Sequence, residues 1–299
     1  MTDSSFPGDP YDLRSLFKAI GRFGAQRALD VAPTERQKAD APVEMIDEAP
    51  SEITAEALEV EGFVDGIQAT LCVTHREQRP IYLCYVGAAA VGSGARVVGM
   101  REQLRLICAD ADADFVRGIS AGVPIEQLID QTPPELERDA HRLVGSSRDN
   151  LERSLVDDLL SQGCGNLVLD GSLIGRPRDR RLVGVVKTTN RQWLENESVL
   201  WSLPVGWRSP RFKIGSALGE GAERYSCYVQ MTDKTSGAWN LGLIRLESFD
   251  PEILDALAAR CLLERQGSRS GDLRWDRHMA SVRAVEEFLR SRRPSVFSL

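Results

Sequence analysis

Two rhythms of apolar residues alternate along this 299-residue chain. Between Tyr11 and Ala32, the residues Leu13, Leu16, Phe17, Ile20 and Phe23 recur at helical spacing. They predict an amphipathic helix whose apolar face packs on the core or on a partner. Glu61 to His75, Arg79 to Val91 and Ala95 to Ala109 are β-rich runs. The breaks between them, Glu77-Gln78 and Gly92-Ser93-Gly94, have hairpin lengths, so the three runs predict a β-meander.

Leu151 to Leu160 returns to the helical period, whereas Asn166 to Leu169 and Leu182 to Val186 are continuous apolar runs that suit strands buried on both faces. Lys187 ends the second of these, and Thr188, Thr189 and Asn190 after it read as a helix start. Arg211 to Ala217, Tyr225 to Met231 and Trp239 to Glu247 predict further strands. Helices follow from Pro251 to Arg265 and from Trp275 to Arg290, the latter with Val282, Val285, Phe288 and Leu289 facing inward.

Composition adds a division of the chain. From Val31 to Glu61, nine Asp+Glu stand against Arg36 and Lys38, and the stretch reads as a linker or a solvated acidic arm. The expected organisation is an N-terminal helix and acidic linker over residues 1–60, then one α/β domain over 61–299. The net charge of −7 hides an asymmetry, with 16 Lys+Arg against 29 Asp+Glu in residues 1–170 and 21 against 15 in residues 171–299. A basic surface in the second part is as compatible with these counts as a solvated mixture of charges.

The sequence carries no apolar run long enough for a membrane span and no signal-peptide pattern, so a cytoplasmic protein is expected. Six cysteines without a C-x-x-C pair read as reduced core residues. With three histidines in the chain, any metal must be held mainly by oxygen, which favours magnesium or manganese. The acidic run Asp110 to Asp114 lacks the pattern of a calcium loop and reads as a solvated loop or helix N-terminus.

Chemistry gathers at two similar segments, GFVDG at 62–66 and LVLDG at 167–171, each an apolar strand that ends in an aspartate followed by glycine. One such segment alone is an ordinary turn more often than a ligand. Two of them bring Asp65 and Asp170 together if their strands are neighbours in one sheet, as a carboxylate metal site requires.

A third carboxylate comes from the helical run. Taking about 100° per residue from Leu151, Glu152 falls near 100°, between Leu159 near 80° and Val156 near 140°. An inward glutamate needs a metal or a partner, and the competing use is an ion pair with Arg148 one turn earlier. Lys187 adds a cation at the end of a core strand.

The succession GFVDG, an inward glutamate, VLDGSL, LVGVVK and LGLIRLES resembles the NurA nuclease family over about residues 60 to 290. The resemblance implies an RNase H-like mixed sheet flanked by helices, with Asp65, Glu152 and Asp170 holding Mn2+ or Mg2+ and Lys187 facing phosphate. It also implies a C-terminal histidine, for which His278 in LRWDRHMASVRAVEEF is the candidate, although that segment lacks the family's prolines.

The implied activity is metal-dependent DNA cleavage in DNA-end processing or phage defence. The implied assembly is a homodimer fed by a HerA-type hexameric ATPase, and no G-x-x-x-x-G-K-[ST] motif in this chain would provide that motor. The alternative is an inactive NurA-like subunit that binds DNA and caps or regulates the ATPase.

Overall fold

Two long antiparallel hairpins make the frame of the molecule. In the numbering used below, β1 is Gly62–Arg76, β2 is Arg79–Val91 and β3 is Val97–Ala109. The β1–β2 turn needs no glycine: Glu77 and Gln78 themselves adopt positive φ, 49° and 66°, so the turn twists with the strands it joins. The meander predicted from alternation is present, with β3 running unbroken from Val97 to Ala109.

A computed structural model describes residues 15–16, 37–38, 43–129, 132–187, 191–196, 198–215, 223–233, 242–265 and 279–298. The remaining principal elements are β4 (Ile125–Leu128), α1 (Pro133–Ser161), β5 (Leu167–Asp170), β6 (Leu182–Val186), β7 (Phe212–Ile214), β8 (Arg224–Gln230), β9 (Leu243–Ser248), α2 (Ile253–Glu264) and α3 (Ala280–Arg292). The predicted first helix, the helix start at 188–190 and His278 lie outside the described residues, except that Leu16 is fully buried in a cluster with Val73, Ile81 and Leu83.

Among the described residues, 12 strands form one mixed sheet, whose path runs from Val43–Met45 through β7, β8, β9, β6, β5, β1, β2 and β3 to β4, and Gln37–Lys38 pairs separately with Arg191–Gln192. β5 pairs parallel with both β1 and β6, so the centre of the sheet is parallel and its flanks are antiparallel, except that the edge strand β4 pairs parallel with β3. Helices cover both faces. Alternation along β1 and β5 sends Val64, Leu167 and Leu169 into the core under α1, and Phe63 and Val168 into the core under α2 and α3.

α1 is far longer than the run from Leu151 to Leu160 that the apolar pattern marks. It starts at Pro133-Pro134, where proline suits the first turn, and the Thr132 N–H donates to Glu135 Oε2 at 2.9 Å as in a capping box. Its apolar stripe continues through Leu136, Ala140 and Val144, all buried. No helix among the described residues is long and apolar enough to cross a membrane.

The acidic stretch before β1 is not a solvated linker over its described part. Val43–Met45 pairs with β7, and Ser51–Glu52 pairs with Trp207–Arg208, so strands on both sides of residue 60 belong to the same sheet. Asp47 accounts for part of the acidity: its carboxylate accepts from Arg208 at 2.6 Å and from Arg211 at 3.0 Å. The excess acid of the first part and excess base of the second are therefore partly spent on each other.

Asp112, expected in a solvated loop or helix start, stands at the start of the short helix Ala113–Ile119 but is fully buried, with the Arg79 guanidinium on both its oxygens at 2.7 and 2.9 Å. The six cysteines are free.

Candidate functional site

Strand register decides where the two aspartates meet. β1 and β5 align Gly62 with Leu167, Phe63 with Val168 and Val64 with Leu169. The next residues in line are Asp65 and Asp170, and there β5 ends while β1 continues. A gap opens beside the free edge of β1, forming a cleft of about 1030 Å3 lined by Asp65, Gly66, Arg148, Glu152, Asp170, Lys187 and Glu286, among others.

Asp65 and Asp170 follow the parity of Phe63 and Val168, which places them toward α3. Glu286 projects from α3 to join them, and one carboxylate oxygen from each of the three residues lies within 4.8 Å of the others. Three convergent carboxylates with no nitrogen or sulfur donor form a set suited to a hard divalent cation such as Mg2+ or Mn2+. The donor chemistry fits the metal that the sequence resemblance implies.

Glu286 was not singled out in the sequence, although a signal exists. At roughly 100° per residue it falls about 40° from Val282, at the edge of the stripe formed by Val282, Val285 and Leu289. The same wheel reasoning that marked Glu152 marks Glu286 more weakly, because Glu286 stands at the edge of its apolar stripe whereas Glu152 stands within one.

Glu152 is buried, as its wheel position predicts, and lines the same cleft from the α1 side. It stands outside the three-carboxylate group. Arg176 donates to its Oε2 at 2.7 Å, the two side chains being 8% and 7% exposed, and Arg148 Nε lies 3.5 Å from Oε1. Burial pushes its carboxyl up, and the Arg176 and Arg148 charges oppose that shift.

Gly66 is the reason Glu152 can come so close to β1. A Cβ there would lie 2.5 Å from Glu152 Oε1 and 3.0 Å from Arg148 Cγ. The glycine of GFVDG thus serves a close approach inside a continuing strand, whereas Gly171 of LVLDG, at φ 141°, does turn the chain.

The electrostatics of the aspartates follow from depth and mutual repulsion. Burial first, and then the Asp170 charge, push the Asp65 carboxyl up to about 8 against the Gly66 N–H and Lys187, which favour the charged form. Asp65 Oδ1 accepts the Gly66 N–H at 2.8 Å. Lys187 Nζ sits 2.7 Å from Asp170 Oδ2, so the lysine at the end of β6 reaches the carboxylate at the end of β5.

Behind Asp170, a second buried acid holds the loop. Glu247 on β9 is fully buried and accepts the Leu173 N–H at 2.7 Å and the Ser172 hydroxyl at 2.8 Å. Its counter-charges are Arg245 and Arg224, whose guanidiniums lie over the Trp193 ring at 5.4 and 5.7 Å. Burial alone would raise Glu247, but the two arginines and the Leu173 and Ser172 hydrogen bonds hold it down to about 2. Gly184 completes the support, because a Cβ there would lie 2.7 Å from the Gly171 carbonyl oxygen.

Basic side chains surround the carboxylates. Arg148, Arg153 and Arg176 line the cleft on the α1 side, and Arg290 and Arg293 line it from the end of α3. Four carboxylates on the inside and arginines at the margins can seat cations and face a polyanion together.

No protein-family model matches the chain, and no curated protein matches it. Among solved structures, Argonaute of Aquifex aeolicus aligns at 12% identity and a TM-score of 0.23, over 81% of this chain and 30% of that one. A likeness this slight carries no argument about fold family or activity. The chain is a mixed α/β protein with a large sheet between helices and an acidic group able to hold a divalent cation.

Proposed function

We propose that this chain is a divalent-metal-dependent deoxyribonuclease of the NurA type, built on an RNase H-like sheet. The observation that carries the reading is the convergence of Asp65, Asp170 and Glu286 within 4.8 Å in a cleft rimmed by arginines. Asp65, Asp170 and Glu286 would hold the cation, with Glu152 beside them. A bound divalent cation supplies an activated water and charge stabilisation at the scissile phosphate.

The chain's own residues do the remaining work. Gly66 and the Glu247-anchored loop fix the two aspartates on rigid strands. Lys187 balances the Asp170 charge and lies where a phosphate oxygen can be met. The margin arginines attract the nucleic-acid backbone, a contribution that weakens as salt is raised. The sequence resemblance extends the proposal to a homodimer working with a HerA-type hexameric ATPase in DNA-end processing or phage defence.

The test is cleavage of single- and double-stranded DNA with Mn2+ by wild type and Asp170→Ala. Loss of activity in the variant supports the reading, and equal activity in both defeats it. The second reading, an inactive NurA-like subunit that binds DNA and regulates the ATPase, is favoured by the Lys187 ammonium 2.7 Å from Asp170 Oδ2, which already balances that carboxylate's charge. DNA binding with no cleavage by wild type in Mn2+ would decide for it.

A further inference from the structure

The Arg–Glu pairs that line the cleft differ in character. Arg176–Glu152 is deep, with both side chains more than nine-tenths buried, and Arg176 Nη1 also donates to the Asp149 carbonyl at 3.2 Å. Taking either partner away strands a buried charge, so the pair is a fixed part of the wall.

Arg290–Glu286 is open. Arg290 Nη2 donates to Glu286 Oε2 at 3.1 Å, one helical turn away, with side-chain exposures of 63% and 23%. An exposed i,i+4 pair of this kind contributes little, because water screens both charges.

Glu286 is also the carboxylate that α3 contributes to the acidic group. A cation drawing on that carboxylate competes with Arg290 for the same charge, and the weak pair yields. Arg290 then points along a cleft that Arg293 lines as well. The Arg293 Nε is buried and has no hydrogen-bond partner among the described residues.

We propose that Arg290 and Arg293 form a phosphate-binding clamp for the nucleic-acid strand, and that Arg290 is released to it when Glu286 turns to a divalent cation. This deepens the nuclease reading and rests on it. Cation and polyanion binding are coupled through one side chain, so each strengthens the other by the same factor. A residue that is merely a cation ligand and one that also restrains an arginine differ in what their loss does without metal.

The experiment measures anisotropy of a fluorescein-labelled phosphorothioate single strand with the full chain, in EDTA and in Ca2+. Wild type is expected to bind about tenfold tighter in Ca2+. Glu286→Gln is expected to bind in EDTA about as tightly as wild type does in Ca2+, because Arg290 is already released.

Arg290→Ala combined with Arg293→Ala is expected to bind weakly in both conditions, with a salt dependence shallower by about two phosphate contacts. Glu286→Gln remaining at the weak wild-type level in EDTA overturns the coupling. Unchanged affinity in the double-arginine variant overturns the clamp. Calorimetric titration of wild type with Mn2+, together with DNA cleavage, separates the two levels: binding and cleavage with no such coupling removes the clamp alone, and no Mn2+ binding removes the nuclease reading with it.

Discussion

Asp65 and Asp170 are the residues that follow Val64 and Leu169 on two parallel strands in register, and they reach the same side of the sheet where β5 ends. Their separation in sequence is bridged by three backbone-paired residues on each strand, so their mutual position is set by a sheet rather than a loop. Asp65→Asn and Asp170→Asn are each expected to lower Mn2+-dependent cleavage by roughly 10²–10³-fold, the cost typical of removing one preorganised electrostatic group. A labelled-oligonucleotide cleavage assay with circular dichroism to verify folding checks this.

Gly66 lets Glu152 approach β1 closely through the absence of a side chain. Gly66→Ala is expected to destabilise the protein by about 1–3 kcal/mol through overpacking against Glu152 and Arg148. Glu152→Ala removes one of the obstructing groups, so the double variant is expected to lose less than the sum of the single losses. Urea unfolding of the four proteins in the cycle measures the coupling.

The Asp65 carboxyl stands at about 8 in the fold against 3.8 in an unfolded chain. Because the folded value is raised, its contribution to stability is fully present below about pH 4 and is lost as pH rises through about 8. Relative to Asp65→Asn, metal-free wild type is expected to lose stability across that window. Cation binding requires the ionised carboxylate, so Mn2+ affinity is expected to climb with pH, with about one proton released, and to level off above pH 8. Calorimetry in buffers of different ionisation enthalpy counts the proton.

Glu247 has the opposite sign. Its carboxyl is held at about 2 against an ordinary 4.5, so its stabilising contribution is present above about pH 4.5 and disappears as pH falls through 2. Glu247→Ala leaves Arg245 and Arg224 as buried charges without their acid and is expected to cost about 3–5 kcal/mol at neutral pH. Glu247→Gln keeps a group able to accept from Leu173 and Ser172, and is expected to fall closer to wild type in acid than at pH 7. Denaturant melts at pH 3 and pH 7 compare them.

Much of the framework was legible in residue patterns. Alternation and turn composition located β1, β2 and β3, and continuous apolar runs located β5 and β6, because each pattern reflects a local requirement for burial. The wheel position of Glu152 correctly implied burial, but burial is silent about the partner. The Arg148 pairing weighed from the sequence is present, and Arg176, from a surface-looking basic turn, adds the closer partner. The acidic stretch before β1 misled for a related reason: composition records that Asp47 is charged, not that Arg208 and Arg211 wait for it across the fold.

Strand periods and the two aspartate–glycine pairs are properties of neighbouring residues, and they suffice to put Asp65 and Asp170 on core strands, although only Asp170 ends its strand and Asp65 lies within β1. The choice of their third companion is not local. The wheel sets Glu286 at the edge of the apolar stripe, and only the rotation at which α3 docks through Val282, Val285 and Leu289 brings that edge to the aspartates. Long-range packing fixes that rotation because the apolar stripe must meet the sheet, and the carboxylate at its edge is carried into the cleft with it.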